Sequence, residues 1–369
     1  MHINNIPVFS LFPILALIIL SGCAAFSPDA PEDSNAPIPV QGFETEIVAQ
    51  DLQIPWAIAF LPDGKMIFTE RAGKLKILQG SEVHEIEGVV HLGESGLQGL
   101  AIDPDFSKNN HIYLYYTYSE GAQLYNRVSR FTLRENALLD ELPLLEKIPG
   151  NVYHDGGRIK FGPDAKLYIS TGDAGTTSLS QDKTSIAGKI LRINSDGTIP
   201  QDNPFRNAVY SYGHRNPQGF DWHPQSGMLV ATEHGPSLHD EVNIILKGAN
   251  YGWPTKLCSQ GETSAEFKEA VVCFADWTMA PSGAAFYSGT VLSFQNAFLY
   301  GGLRGEQIRI ARFDGSALAS DEKLLDGFGR IRDIVQGPDG YIYFATNNTD
   351  GRGSPMSQDD KILRIKPKQ

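Results

Sequence analysis

Five stretches of this chain repeat one pattern: an apolar strand, a turn built on proline, and a second apolar strand ending in threonine. They read "AFLPDGKMIFTE", "AIDPDFSKNNHIYLYYT", "KFGPDAKLYIST", "DWHPQSGMLVATE" and "VQGPDGYIYFAT". The prolines are Pro62, Pro104, Pro163, Pro224 and Pro338, and the threonines are Thr69, Thr117, Thr171, Thr232 and Thr346. Proline presets φ for a turn and cannot donate to a strand ladder, so it marks each strand pair at the same point. The gap from Pro224 to Pro338 is about twice the others, which places a sixth copy, lacking the proline turn, near residues 280–300. There "SGAAFYSG" and "NAFLYGGL" supply two strands. Helical periodicity is scarce. Six units of roughly 40–60 residues, each a few antiparallel strands, imply an all-β chain folded as a six-bladed β-propeller of four-stranded antiparallel blades. "GKLKIL", "GKILRIN" and "DKILRIKP" fit outer strands of such blades. The alternative, two β-sandwich domains, gives no reason for a fixed turn-and-threonine register.

The ends of the chain add an address. "VFSLFPILALIIL" is too short to span a bilayer and long enough for the core of a signal peptide. "LSGC" follows, ending at Cys23. Residues 1–22 are therefore expected to be a lipoprotein signal peptide cut before a lipidated Cys23, although "MHINNIP" carries no Lys or Arg. Residues 23–42, rich in Pro, Ala and Asp, then form a flexible tether, and residues 43–369 the propeller. The expected location is the periplasmic side of a bacterial membrane, held by lipid at the outer membrane. A soluble periplasmic protein with an ordinary secretory signal is the alternative. In that compartment Cys258 and Cys273 form either a disulfide or two buried thiols. A net charge of −12 argues against nucleic acid as a partner.

In a propeller, loops from distant parts of the sequence meet at one mouth of the central channel. "NVYHDGGRIKFGPD" sets His154 before the third copy and "YISTGDAG" ends that copy at Asp173, a histidine with a carboxylate to orient it. "SYGHRNPQGFDWHP" crowds His214, Arg215, Asn216 and Gln218 at the entrance to a strand. "HGP" offers the carbonyls of Gly235 and Pro236 beside His234, and "HDE" the carboxylates Asp240 and Glu241, hard-oxygen donors suited to Ca²⁺. "GGLRGEQI" and "GRIRDI" add Arg304, Arg330 and Arg332, an anion pocket within an acidic protein.

Together, "GHRNPQG", "EHGP…DEVN", "NYGWP", "RIRD" and a histidine ahead of "GGRIKFGPD" resemble the soluble glucose dehydrogenase and aldose sugar dehydrogenase family over about residues 43–369. Members are six-bladed propellers that bind pyrroloquinoline quinone (PQQ) and Ca²⁺. The resemblance implies that His154 removes the proton of the C1 hydroxyl of an aldose, that Asp173 orients it, and that Arg215 eases hydride transfer to the quinone. Asn216, Gln218, His234, Asp240, Arg304, Arg330 and Arg332 would bind the cofactor. The carbonyls of Gly235 and Pro236 would hold its Ca²⁺, with Glu241 and the Tyr251 carbonyl forming a second, structural site. The product would be a lactone, and the electrons would pass to an external acceptor. Glu94 departs from the pattern: it stands where a cofactor-contacting Gln is frequent, and would repel an acidic cofactor unless protonated or bound to Ca²⁺. Short loops on blades two and five imply a broad, shallow mouth. Two other functions compete. A Ca²⁺-dependent lactonase needs no ring of arginines, so Arg215, Arg330 and Arg332 count against it. A non-catalytic binding module would have no need of both His154 and Arg215.

Overall fold

The computed structural model describes residues 42–368 apart from 79–81, 136 and 260–264; the signal peptide and Cys23 lie outside these residues. Six four-stranded antiparallel sheets follow one another as the blades of a β-propeller, as the repeat predicts. Blade one spans residues 55–85, blade two 97–149, blade three 159–212, blade four 217–274 and blade five 281–326. The sixth is built from both ends of the chain. Its strands Ile331–Gln336, Ile342–Thr346 and Ile362–Pro367 are completed by Phe43–Ala49, which pairs antiparallel with the last strand from Phe43↔Pro367 to Ala49↔Ile362. Apolar side chains fill the seams between blades: Trp56, Ile67 and Leu75 meet Leu97, Ile112 and Leu114 between blades one and two.

The repeated threonines are buried in all five copies. In two of them the hydroxyl ties one blade to the next: Thr69 Oγ1 donates to the Gln98 carbonyl at 2.7 Å, and Thr232 Oγ1 to the Ser282 carbonyl at 2.7 Å. Each of these threonines faces a register shift in the innermost strand, between Pro55 and Ile58 or between Pro217 and Gly219. At Thr69 the hydroxyl also accepts the Ala57 amide, which the bulge leaves out of the ladder, at 3.1 Å. The sixth copy, strands Pro281–Phe286 and Phe298–Gly302, has Gly301 at this place. There Ser282 Oγ makes the bond to the next blade instead, to the Ile331 carbonyl at 2.6 Å. A Cβ on Gly301 would lie 2.8 Å from Ser282 Oγ and 2.7 Å from Ile331 Cγ2, so the copy is degenerate for a steric reason.

Candidate active site

Where the innermost strands begin, five entering loops surround a cavity of about 540 Å³. Glu94 precedes blade two, His154 blade three, Arg215 blade four, Ala280 blade five and Arg330 blade six. The lining holds six arginines (Arg71, Arg215, Arg304, Arg330, Arg332 and Arg352) against the carboxylates Glu94, Asp240 and Asp350. Among the described residues only two of these arginines have a carboxylate in salt-bridge contact. Arg330 is paired with Asp350 at 2.7 Å and Arg352 with Glu94 at 2.8 Å. Arg71, Arg215, Arg304 and Arg332 have no carboxylate within salt-bridge distance among the described residues.

The histidine is held in a fixed pose. His154 Nδ1 lies 2.8 Å from Asp173 Oδ1, while Asp173 Oδ2 accepts from Trp253 Nε1 at 2.8 Å. Burial pushes the Asp173 carboxyl up, but the bonds from His154, the Gly175 amide and Trp253 outweigh it and hold the group below its ordinary value. An ionised Asp173 fixes the proton on Nδ1 and leaves Nε2 as an acceptor. His154 itself sits at φ 65°, and its carbonyl is so close to the neighbouring strand that a Cβ on Gly172 would fall 1.7 Å from it. Only glycine fits at 172.

Behind His154, Asp155 is buried, accepting from Asn126 Nδ2 at 2.9 Å and the Asn151 amide at 3.0 Å, with Oδ2 unpartnered. Burial pushes its carboxyl up to about 7. A native carboxyl that keeps its proton while the unfolded one ionises costs stability as pH rises from about 4 to about 7. Asp155→Asn should therefore gain thermal stability relative to wild type across that window, read as a melting-temperature difference that widens with pH. A constant difference would show that Asp155 ionises normally.

The crowded stretch 214–218 divides its labour. His214 is wholly buried, bridging Ser211 Oγ at 2.8 Å and Glu233 Oε2 at 2.7 Å and stacked 4.6 Å from the Tyr251 ring. Arg215 enters the cavity, donating to the His234 carbonyl at 3.1 Å, with Nε left without a partner. Asn216 does not line the cavity. It is buried behind it, its Oδ1 accepting the Gly156 amide of the loop of His154 at 3.0 Å and its Nδ2 left without a partner. Gln218 lines the floor, its Oε1 bonded by Arg332 Nη1 and its carbonyl by Arg158 Nε at 3.1 Å.

Further buried atoms without a partner include Asn216 Nδ2, Arg332 Nε and His234 Nε2. Burial, with Arg71 and Arg330 close by, pushes Arg332 down to about 9, still protonated at neutral pH. Burial likewise pushes the His234 imidazole down to about 3, with Glu94 only partly opposing, so the ring is neutral. The Glu94 carboxyl is held below its ordinary value. Burial alone would raise it, but the charge of Arg352 and the His154 amide, which donates to Oε2 at 3.2 Å, oppose burial. Its charge is met by Arg352, a residue without any periodic sequence signal.

Asp240 binds no side chain in the cavity. Its oxygens accept the amides of Gly235 at 2.8 Å, Met279 at 2.8 Å and Ala280 at 2.7 Å, shaping the loop that presents Gly235 and Pro236. The Pro236 carbonyl also closes a tight turn to the Leu238 amide at 2.6 Å and keeps one lone pair. A smaller adjoining cavity is lined by Glu233, Pro236, Glu241 and Tyr251 among others. Burial, and then the charge of Glu233 opposite it in the ladder, push Glu241 up to about 8. Cys258 and Cys273 are joined as a disulfide with Cα atoms 5.9 Å apart, Cys258 lying five residues beyond Trp253.

The glucose/sorbosone dehydrogenase family model matches residues 52–363. Aldose sugar dehydrogenase YliI of Escherichia coli is 32% identical over 88% of this chain and 92% of its own length. Quinoprotein glucose dehydrogenase B of Acinetobacter calcoaceticus is 34% identical over 58% of this chain and 53% of its own. Among solved structures, the PQQ-bound aldose sugar dehydrogenase of Streptomyces coelicolor superposes with a TM-score of 0.79 at 35% identity, covering 90% of this chain and all of that one (100%). Match length, identity and fold agree, and the chain belongs to the glucose/sorbosone dehydrogenase family.

Proposed function

We propose that this chain is a PQQ- and Ca²⁺-dependent aldose dehydrogenase that oxidises the C1 hydroxyl to a lactone and passes the electrons to an external acceptor. The observation that carries the proposal is the set of arginines without a salt-bridged carboxylate in one cavity of an acidic protein, with donor atoms left over on Arg215 and Arg332. PQQ is a flat quinone with three carboxylates, and planar guanidinium forks suit both. Arg304, Arg332 and the Asp350-braced Arg330 would meet carboxylates, and Arg215 the quinone oxygen. When bound, PQQ supplies the acceptor for the hydride leaving C1.

The chain's own residues do the rest. His154 Nε2 accepts the proton of the C1 hydroxyl, and the Asp173 carboxylate stabilises the imidazolium that results. Arg215, desolvated beside Trp253, holds positive charge where negative charge develops. The carbonyls of Gly235 and Pro236 would hold Ca²⁺ beside the cofactor, and Glu241 with the Tyr251 carbonyl a second ion. The proposed location is the periplasmic side of the membrane, tethered through Cys23.

Titration of the purified protein with PQQ, with Ca²⁺ or with a chelator, followed by dye reduction on aldoses, tests the proposal. Saturable, Ca²⁺-dependent activation is expected. Absence of PQQ binding in either condition would refute it, and chelator-indifferent binding would remove the bridging ion.

A further inference from the structure

One side of the cavity mouth is closed by a contact that neither cofactor binding nor the base explains. Arg352 follows the second strand of blade six, set between Gly351 and Gly353, and reaches across the mouth to the loop before blade two. Its Nη1 donates to Glu94 Oε1 at 2.8 Å, a link between residues 258 positions apart. The other Glu94 oxygen accepts the His154 amide at 3.2 Å, and the guanidinium carbon lies 5.1 Å from the centre of the Tyr153 ring. Tyr153 directly precedes His154. The Arg352 side chain is 51% exposed and Tyr153 48%, whereas Arg330 and Arg332 are buried deeper in the cavity.

The salt bridge joins a largely buried carboxylate to a half-exposed guanidinium, so solvent screens its Arg352 end. Beside the atom expected to take the C1 proton, one patch offers spare guanidinium donors, a carboxylate acceptor and the open face of an aromatic ring. A pyranose ring has the matching chemistry: hydroxyls that both donate and accept, and apolar C–H faces between them.

We propose that Arg352 is a specificity-determining residue, binding the ring hydroxyls remote from C1 while Tyr153 covers one face of the sugar. Glu94 serves as its positioning residue, belonging to the substrate rim and not to the cofactor site. This inference rests on the aldose reading above. A planar fork held by a carboxylate recognises two neighbouring hydroxyls at once, so it discriminates sugars that differ at one of them.

The experiment compares wild type, Arg352→Ala, Arg352→Lys and Tyr153→Ala on a panel of aldopyranoses, with PQQ affinity measured separately by tryptophan fluorescence. Arg352→Ala should raise KM about tenfold or more with a much smaller change in kcat, because a hydrogen bond to a charged group is lost from ground and transition states alike. Its preference between aldoses differing at one ring hydroxyl should shrink. Arg352→Lys should recover part of the affinity without the discrimination. Unchanged KM in Arg352→Ala, or a loss confined to PQQ affinity, overturns the inference while leaving the dehydrogenase reading intact. A wild type that binds PQQ yet oxidises no aldose overturns both.

Discussion

Removing the His154 imidazole should lower kcat by roughly 10²–10⁴-fold, the range for loss of a positioned general base, with PQQ affinity nearly unchanged. The imidazole faces the cavity but spends its Nδ1 on Asp173, so it contributes one working nitrogen and little packing. The backbone there is left-handed, at φ 65°. Alanine tolerates that conformation less well than asparagine, so His154→Asn is the companion variant that separates lost chemistry from a displaced loop. Rapid-mixing measurement of sugar oxidation, alongside a PQQ binding curve, reads the two effects apart. Equal kcat in wild type and both variants would remove His154 as the base. Lost PQQ binding in both would mean that the imidazole belongs to the cofactor site.

The second large effect is expected from the disulfide. Cys258 and Cys273 are separated by 15 residues, and cross-linking a loop of that length stabilises by about 3 kcal/mol through the unfolded chain. The double replacement Cys258→Ser, Cys273→Ser should lose about that much in denaturant unfolding. It should also lose activity before it loses fold. Cys273 sits opposite Glu241 in the ladder, and the segment leading into Cys258 carries Tyr251 and Trp253, the latter bonded to Asp173. Loosening it slackens the support of the base. Identical unfolding curves for wild type and the serine variant, both purified without reductant, would show that the bond does not form in the mature protein.

Much of this was legible because the signals are local. A proline turn and a threonine lie within a dozen residues of one another, so their recurrence exposes the blades, and the missing copy could be located by its gap. His154 and Asp173 flank a single blade, which is why their meeting could be anticipated. Other features leave no local trace. Phe43–Ala49 reads as an ordinary strand, and nothing near it announces that its partner is the last strand of the chain. Arg71, Asp350 and Arg352 stand on loops without periodicity, so their convergence on the cavity depends on the closed ring. The stretch 214–218 misled in the opposite way. Its polar groups are dense, yet His214 is spent on the Ser211 and Glu233 side chains and Asn216 Oδ1 on the Gly156 amide, which leaves Arg215 and Gln218 to line the cavity. Glu94 stood out as a departure, but its counter-ion is 258 positions away.

The composition of blade six has a consequence for how the enzyme comes into being. Its outermost strand, Phe43–Ala49, pairs with Ile362–Pro367, more than three hundred residues further along. Contacts of such long sequence separation form late and slowly. Until the final residues arrive, the first strand has no ladder to join, and blade six cannot brace Arg330, Arg332, Asp350 and Arg352, which stand on its strands and loops. A chain without its last strand would still carry Arg330, Arg332 and Arg352, but on a blade short of two of its four strands. The arginine side of the pocket thus depends on a blade that is complete only when the ring has closed.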